Sequence, residues 1–493
     1  MELTRNYIGG KWVESVTGES FTSTNPATGE TVGVVTRSGR ADVQLAVEAA
    51  REAFPAWRRL PAPVRGEILL NAGRKLQEKK EELARLITAE MGKILPEARG
   101  DVQEAIDIAL YMAGEGRRLF GQTTPSELTD KFCLTVRQPL GVVAAITPWN
   151  FPVAIPAWKL MPALIAGNTV VLKPSSETPV CAAAFVRVLE EAGVPAGVVN
   201  LVLGPGGPAG EALVAHPAVS AVTFTGSTET GIRLAAAAAA ANKKISLEMG
   251  GKNAIIVMDD ADLDLAADGI IWSAYGTSGQ RCTACSRVIV HAAVKDVLLG
   301  KLLARIDKLR LGNGLEAGVD LGPVINREQL AKIDGHVREA AREGARLVAG
   351  GAIAAEGELA KGNFYRPTLF TEVTPEMRIA REEIFGPVLA VITVRSLEEA
   401  IAVNNDTGYG LSSAIYTASV EKAFRAMQEI TTGIVYVNAG TIGAEVHLPF
   451  GGTRGSGNGH REVGTACLEF YTEWKTLYVD FSGRLQRAQI DNR

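Results

Sequence analysis

The chain has 493 residues, 46% hydrophobic and 22% charged, with 51 Lys+Arg against 55 Asp+Glu for a net charge of -4. At roughly 150 residues per domain that length implies about three domains. The composition excludes a disordered, collagen-like or disulfide-stapled chain. No segment concentrates base, so no nucleic-acid partner is expected. The five cysteines (Cys133, Cys181, Cys282, Cys285, Cys467) follow no regular spacing and suit a reducing compartment. The opening MELTRNYIGGKW has no apolar core of a signal peptide, and no uncharged apolar run reaches about 18 residues. A cytoplasmic protein without a membrane partner is expected.

In chain order, the first forty residues read as loop, punctuated by Gly9-Gly10 and Asn25-Pro26. From Ala62 to Met91 apolar residues recur at helical spacing (Val64, Ile68, Ala72, Leu76, Leu83, Ile87, Met91), with a break near Lys79-Lys80. Residues 127–139 alternate polar with apolar and read as an isolated strand. From residue 141 short apolar runs at 141–147, 169–172, 198–203, 221–225 and 254–258 alternate with helical stretches at 152–166, 179–192, 209–215 and 230–242. Strands apolar on both faces, alternating with helices, predict a doubly wound parallel α/β sheet. The seven alanines at 235–241 read as plain helix. A second series follows, with strands at 287–292, 388–394, 412–416 and 433–438 and helices at 294–309 and 420–430. A last isolated strand is expected at 471–481. Open strands of this length call for cover by another chain, so an oligomer is expected.

Two glycine loops qualify as dinucleotide turns. Gly204-Pro205-Gly206-Gly207-Pro208-Ala209 follows one expected strand, and Gly226-Ser227-Thr228-Glu229-Thr230-Gly231 follows another. Spacing does not choose between them. Cys282 sits in Gly279-Gln280-Arg281-Cys282-Thr283-Ala284-Cys285, a polar turn in which the neighbouring cation favours a thiolate. The Cys-x-x-Cys lacks the further ligands of a zinc site and the setting of a thioredoxin-like turn, so no metal is expected and a nucleophilic cysteine remains.

Seven ordered motifs then carry a resemblance: PWNFP at 148–152, LKPSSETP at 172–179, FTGSTETG at 224–231, LEMGGKN at 247–253, GQRC at 279–282, EEIFGPV at 382–388 and PFGG at 449–452. In this order the chain resembles the NAD(P)-dependent aldehyde dehydrogenase superfamily. The resemblance implies a Rossmann-like cofactor domain (1–120 and 140–250), an α/β catalytic domain (251–453) and β-arms for oligomerisation (121–139 and 468–493). It implies Cys282 as nucleophile, Asn150 as oxyanion donor and Glu248 as the base that activates water. Glu248, between Leu247 and Met249, should have a raised pKa if buried. Its presence favours hydrolysis over transfer of the acyl group to CoA. Trp149, Lys173, Ser176, Gly226, Ser227, Glu383 and Phe385 would hold the dinucleotide, with the pyrophosphate at Gly226 and Ser227 and not at 204–209. Phe151, Trp158 and Arg281 would meet the substrate.

Within that family, the segment before PFGG and the run PFGGTRGSGNGHREVG are similar to the branch that oxidises 2-oxoglutarate semialdehyde. An aliphatic aldehyde or an acidic semialdehyde is therefore the expected substrate. Arg281 has two readings, a guanidinium that captures the substrate's far carboxylate or one paired structurally. Ser176 stands three residues after Lys173, where NAD-selective relatives place a Glu, so both cofactors are expected with NADP preferred. A homotetramer built as a dimer of dimers is the expected assembly. For the tail 482–493 the sequence leaves open whether it lies along a neighbour.

Overall fold

The computed structural model describes residues 2–491. Two seven-stranded sheets form its frame. The first has the strand order Lys244–Glu248, Val219–Thr225, Val142–Ile146, Thr169–Lys173, Val199–Leu201, Asn6–Ile8, Lys11–Val13. Its five strands between 142 and 248 run parallel. They are buried almost throughout, which is why their sequences read as apolar runs. The order reverses between Val142–Ile146 and Val219–Thr225. In an open α/β sheet that reversal leaves a crevice at the carboxyl ends of the two strands. The chain leaving these strands runs into Trp149-Asn150 and into Gly226-Ser227.

The second sheet has the order Arg346–Ala349, Thr368–Thr371, Val388–Val394, Cys285–His291, Asn253–Val257, Ser412–Tyr416, Ile434–Val437. All its pairings are parallel except that of the edge strand Arg346–Ala349. Cys282 lies just before one of its strands and Glu383-Phe385 just before another. The carboxyl edge of the first sheet thus faces the amino edge of the second.

The opening forty residues, expected as loop, instead hold five short strands, Leu3–Thr4, Asn6–Ile8, Lys11–Val13, Ser20–Thr24 and Thr31–Thr36. Gly9 and Gly10, with φ of 60° and 82°, make the two-residue turn of a right-twisted hairpin. The hairpin is stable because Asn6–Ile8 joins Val199–Leu201, a partner no local pattern announces. The helical run from 62 to 91 is two helices, Ala62–Glu78 and Lys80–Met91, parted at Lys79. With Leu95–Glu115, Ala154–Ala166 and Pro179–Glu191 they surround the largest apolar core. No helix among the described residues is long and apolar enough to cross a membrane.

A third sheet stands apart. Thr472–Asp480 pairs antiparallel with Lys131–Pro139 in unbroken register, and Gln122–Thr124 adds a third strand. The tail after it touches back, with Gln486 Nε2 donating to the Thr129 carbonyl at 2.8 Å. Residues 492–493 lie outside the described part.

Candidate active site

Cys282 is presented by a backbone under strain. Thr277, Ser278 and Gly279 all take left-handed conformations, with φ of 53°, 54° and 70°. Two non-glycine residues in succession there cost free energy that the surroundings must repay, of order 1–3 kcal/mol each. The restraints are visible. The Glu97 carboxylate accepts from Thr277 N–H at 2.8 Å, Ser278 Oγ donates to the Gly322 carbonyl at 2.7 Å, and buried Gln280 accepts from Ile325 N–H at 2.9 Å. A Cβ on Gly279 would stand 2.1 Å from the Gly386 carbonyl, so only glycine lets this turn pack on the EEIFGPV loop.

Asn150 and Glu248 converge on Cys282. Asn150 is buried, and its Nδ2 donates to the Gln280 carbonyl at 3.0 Å, which fixes the amide beside the cysteine turn. Glu248 ends the strand Lys244–Glu248 and is 2% exposed, and neither carboxylate oxygen makes a hydrogen bond of normal geometry. Burial, reinforced by the Glu462 carboxylate, pushes Glu248 well above the usual carboxylate range, against the pull of Lys159, Arg461 and the Gly452 amide. Behind it Lys159 pairs with Glu462 and donates to Thr223 Oγ1 at 3.1 Å.

The thiol itself differs from expectation. Burial and the carboxylates Glu383 and Glu248 push Cys282 up to about 12, so the resting sulfur is protonated. Arg281 does not stabilise a thiolate because its guanidinium is turned away. Its Nε donates to Thr277 Oγ1 at 2.9 Å and its Nη2 to Glu97 at 3.2 Å. Cys285, three residues on, is buried as the first residue of its strand, with Sγ 3.3 Å from the Arg287 carbonyl.

Two cavities meet at Cys282. One, of about 180 Å³, is walled by Trp149, Asn150, Gly226, Ser227, Glu383 and Phe385. Trp149 and Phe385 meet edge to face at 5.4 Å, and Phe385 is itself left-handed at φ 58°. Glu383 accepts from Gly251 N–H at 2.9 Å, and burial raises it to about 6. Its carboxylate lies where a Cβ on Gly250 would sit, which explains the first glycine of LEMGG. The other cavity, of about 60 Å³, holds Glu248, Phe151, Trp158, Arg281 and Glu462. Beyond it a mouth of about 770 Å³ shares Phe151, Arg281 and Glu104.

The first cavity fits the nicotinamide end of a dinucleotide. The helix Thr228–Ala240 opens at the strand reversal, and its first-turn N–H groups have no intrahelical partner. Ser227 caps Thr230 N–H and Gly226 N–H already donates to the Glu248 carbonyl, so the remaining first-turn amides are those free for a pyrophosphate. Ser176 opens elsewhere, on a cavity of about 440 Å³ with Arg37, Arg327, Lys361, Glu90 and Glu177. Lys173 is buried at a strand end, where burial lowers it to about 7 and its Nζ donates, among the described residues, to the Pro174 carbonyl alone. Sequence reasoning missed Gln329, whose Nε2 holds the carbonyls of Ile384 and Phe385 at 2.8 and 3.0 Å, and Lys332 beside it. It also missed Glu97, Asp101 and Glu104, whose 4- and 3-residue spacings are a readable signal for one helix face.

Comparison with known proteins agrees with this geometry. Residues 12–477 match the Aldehyde dehydrogenase family. The chain is 45% identical over 475 residues to an alpha-ketoglutaric semialdehyde dehydrogenase of Bacillus subtilis, covering 96% of this chain and 97% of the relative. It is 41% identical to the succinate-semialdehyde dehydrogenase [NADP(+)] of Escherichia coli, over 96% of this chain and 97% of that one. Among solved structures it resembles the betaine aldehyde dehydrogenase of Staphylococcus aureus in complex with NAD+, at a TM-score of 0.96 and 36% identity, covering 98% of this chain and 95% of that one.

Proposed function

The chain belongs to the aldehyde dehydrogenase family and oxidises an aldehyde with NAD(P), and on that premise we propose that Cys282, Glu248 and Asn150 carry the chemistry on an acidic semialdehyde. The observation that carries the reading is the position of Cys282 on the walls of both cavities, one shaped for nicotinamide and one holding Glu248. A carbon bonded to its sulfur is then open to hydride departure on one side and to water on the other.

The protonated Cys282 thiol gives its proton to solvent before its sulfur attacks, so this step leaves Glu248 ionised for the next. The thiolate adds to the aldehyde carbonyl, and the Asn150 amide and the Cys282 N–H donate to the oxygen as charge gathers there, each donor contributing about 3 kcal/mol. A bound nicotinamide would supply the acceptor for the hydride that leaves the substrate carbon. The acyl group stays on Cys282 as a thioester. Glu248 then takes a proton from water, the hydroxide attacks the thioester, and the carboxylic acid leaves with the sulfur freed. A carboxylate of raised pKa is the stronger base for that step. Trp149, Glu383 and Phe385 would hold the nicotinamide riboside, the free amides of the helix that opens after Gly226 and Ser227 the pyrophosphate, Lys173 and Ser176 the adenosine ribose. Phe151 and Trp158 would wall the aldehyde's chain.

Arg281 supports the acidic substrate. Two of its nitrogens are engaged, while Nη1 makes no hydrogen bond or ion pair among the described residues, and the side chain borders both the chamber and the mouth. The relative from B. subtilis is named for such a semialdehyde. NADP is the preferred cofactor in this reading, because Ser176 opens on three cations, against Glu177 and a Glu90 already bonded to Ser23, Val180 and Cys181. The division into a cofactor domain (1–120, 140–250), a catalytic domain (251–453) and arms (121–139, 468–493) follows the same family pattern. Trp474, Tyr478, Val479 and Phe481 stand exposed on the arm sheet and its end, which supports burial against further copies in a dimer of dimers. Five free cysteines support a cytoplasmic setting.

The test is Glu248→Gln under rapid mixing. The expected result is a burst of NAD(P)H close to one equivalent per site, then turnover slowed at least about a hundredfold. Loss of the burst with cofactor binding intact would remove Glu248 from deacylation alone and place it before hydride departure.

A further inference from the structure

The helix Leu95–Glu115 turns three carboxylates, Glu97, Asp101 and Glu104, toward the nucleophile turn, at spacings that put them on one face. Two are matched to the protein. Glu97 holds Thr277 N–H and Arg281. Asp101 pairs with Lys93 at 3.0 Å and accepts from Ala154 N–H at 2.7 Å, capping the next helix. Glu104 makes no hydrogen bond and no ion pair among the described residues, yet it borders both the catalytic chamber and the mouth, beside Arg281. An unmatched, half-buried carboxyl group on the substrate's path needs a reason. Resting on the acidic-semialdehyde reading above, we propose that Glu104, as an undissociated carboxyl group, donates a hydrogen bond to the far carboxylate that Arg281 holds.

Arg281 alone offers that carboxylate one free nitrogen and part of another, so a second donor completes its pairing. The surroundings keep the proton on Glu104. Burial, with Asp101 and Asp107 on its own helix, raises it to about 8 against the pull of Arg281 and Lys93. The facing helix Ala154–Ala166 contributes only Ile155 and Trp158 to the chamber and the loop beyond Ile442 to Ala444. Glu248, Cys282 and Glu462 line the chamber's far wall, and Asp268, Tyr275, Arg305, Lys308 and Asp320 line the mouth. Below about pH 8 Glu104 is therefore a donor. Above it the ionised group repels the substrate's carboxylate, and preference for the acid is lost as pH rises.

The experiment measures, for the native enzyme, Glu104→Gln and Glu104→Ala, the ratio of kcat/KM for 5-oxopentanoate to that for pentanal, from about pH 6.5 to about 9.5. Taking a ratio cancels groups shared by both substrates and the fraction of active protein. The native ratio should fall about tenfold across that range, the size of one charge-assisted bond. Glu104→Gln, a donor that cannot ionise, should keep a ratio near the native value at neutral pH and hold it flat to the alkaline end. Glu104→Ala should be about tenfold lower at neutral pH and also flat. A native enzyme with no preference for 5-oxopentanoate at the acid end overturns the acidic-semialdehyde reading together with this inference. A clear native preference that Glu104→Ala leaves untouched or raises overturns the inference alone, as does a Gln variant that titrates like the native enzyme.

Discussion

On the cofactor side of Cys282 the walls come from strand ends and the turns that leave them. Trp149 and Asn150 follow Val142–Ile146, Gly226 and Ser227 follow Val219–Thr225, and Glu383 and Phe385 precede Val388–Val394. On the substrate side helix faces supply much of the mouth: Glu97, Asp101 and Glu104 from one helix, and Ile271, Trp272 and Tyr275 from another, Leu263–Tyr275. The contrast has a physical origin. A turn that brings backbone against a ligand demands particular residues, such as glycine where a Cβ would clash or a left-handed residue at Phe385. A helix face demands only its period, so its residues are free to be chosen for one substrate.

Cys282 belongs to both sides, and its removal should have the largest effect. Cys282→Ala should lower kcat by at least about a thousandfold with any aldehyde and either cofactor. Cys285→Ala should keep most activity, since that thiol is buried with its sulfur against the Arg287 carbonyl and borders neither cavity. Steady-state rates with mass analysis of the acyl-enzyme distinguish them. Equal losses from both substitutions would mean the Cys-x-x-Cys acts as a unit.

The same contrast explains what was legible in the sequence. Strands buried on both faces read as apolar runs, so the doubly wound parallel core was visible, and the motifs at the strand ends named Cys282, Glu248, Asn150, Glu383 and Phe385. The opening strands were not visible, because Asn6–Ile8 is held by Val199–Leu201, nearly two hundred residues away. The Lys159–Glu462 pair behind Glu248 spans 303 residues and leaves no local trace. Arg281 was legible as a cation next to the nucleophile, but Glu97, which turns its charge from the sulfur, lies on a helix 184 residues earlier. Local chemistry was readable, and its long-range partners were not.

The substrate side is tested next at Arg281. Arg281→Ala removes the guanidinium that the far carboxylate would meet, and a bond to a charged group contributes about 1.5–3 kcal/mol. The ratio of kcat/KM for an acidic semialdehyde to that for pentanal should therefore fall at least about tenfold. The ratio matters because the substitution also frees Glu97 from its partner, and any loosening of the Thr277–Gly279 turn slows both substrates alike. An unchanged ratio would assign Arg281 to holding that turn and nothing more.

The smallest effect is expected where the cofactor side departs from a shared demand and becomes a choice of side chain, at Ser176. Lys173 is buried with its ammonium against a single carbonyl, and burial holds it down to about 7. An anion brought near restores its charge. A 2′-phosphate supplies one from the ligand; a carboxylate three residues on supplies one from the chain and repels the phosphate. The cavity at Ser176 already gathers Arg37, Arg327 and Lys361, so in the native protein the ligand is the better source. Ser176→Glu reverses that balance. With about 1.4 kcal/mol for each tenfold change, one carboxylate among those cations should shift the ratio of kcat/KM for NADP over NAD about tenfold toward NAD. The shift should appear mostly in KM, since Ser176 lines a different cavity from Cys282 and does not touch the reacting carbon. A native enzyme that already prefers NAD strongly would point to Glu177, on the same wall, as the carboxylate that takes the ribose hydroxyls.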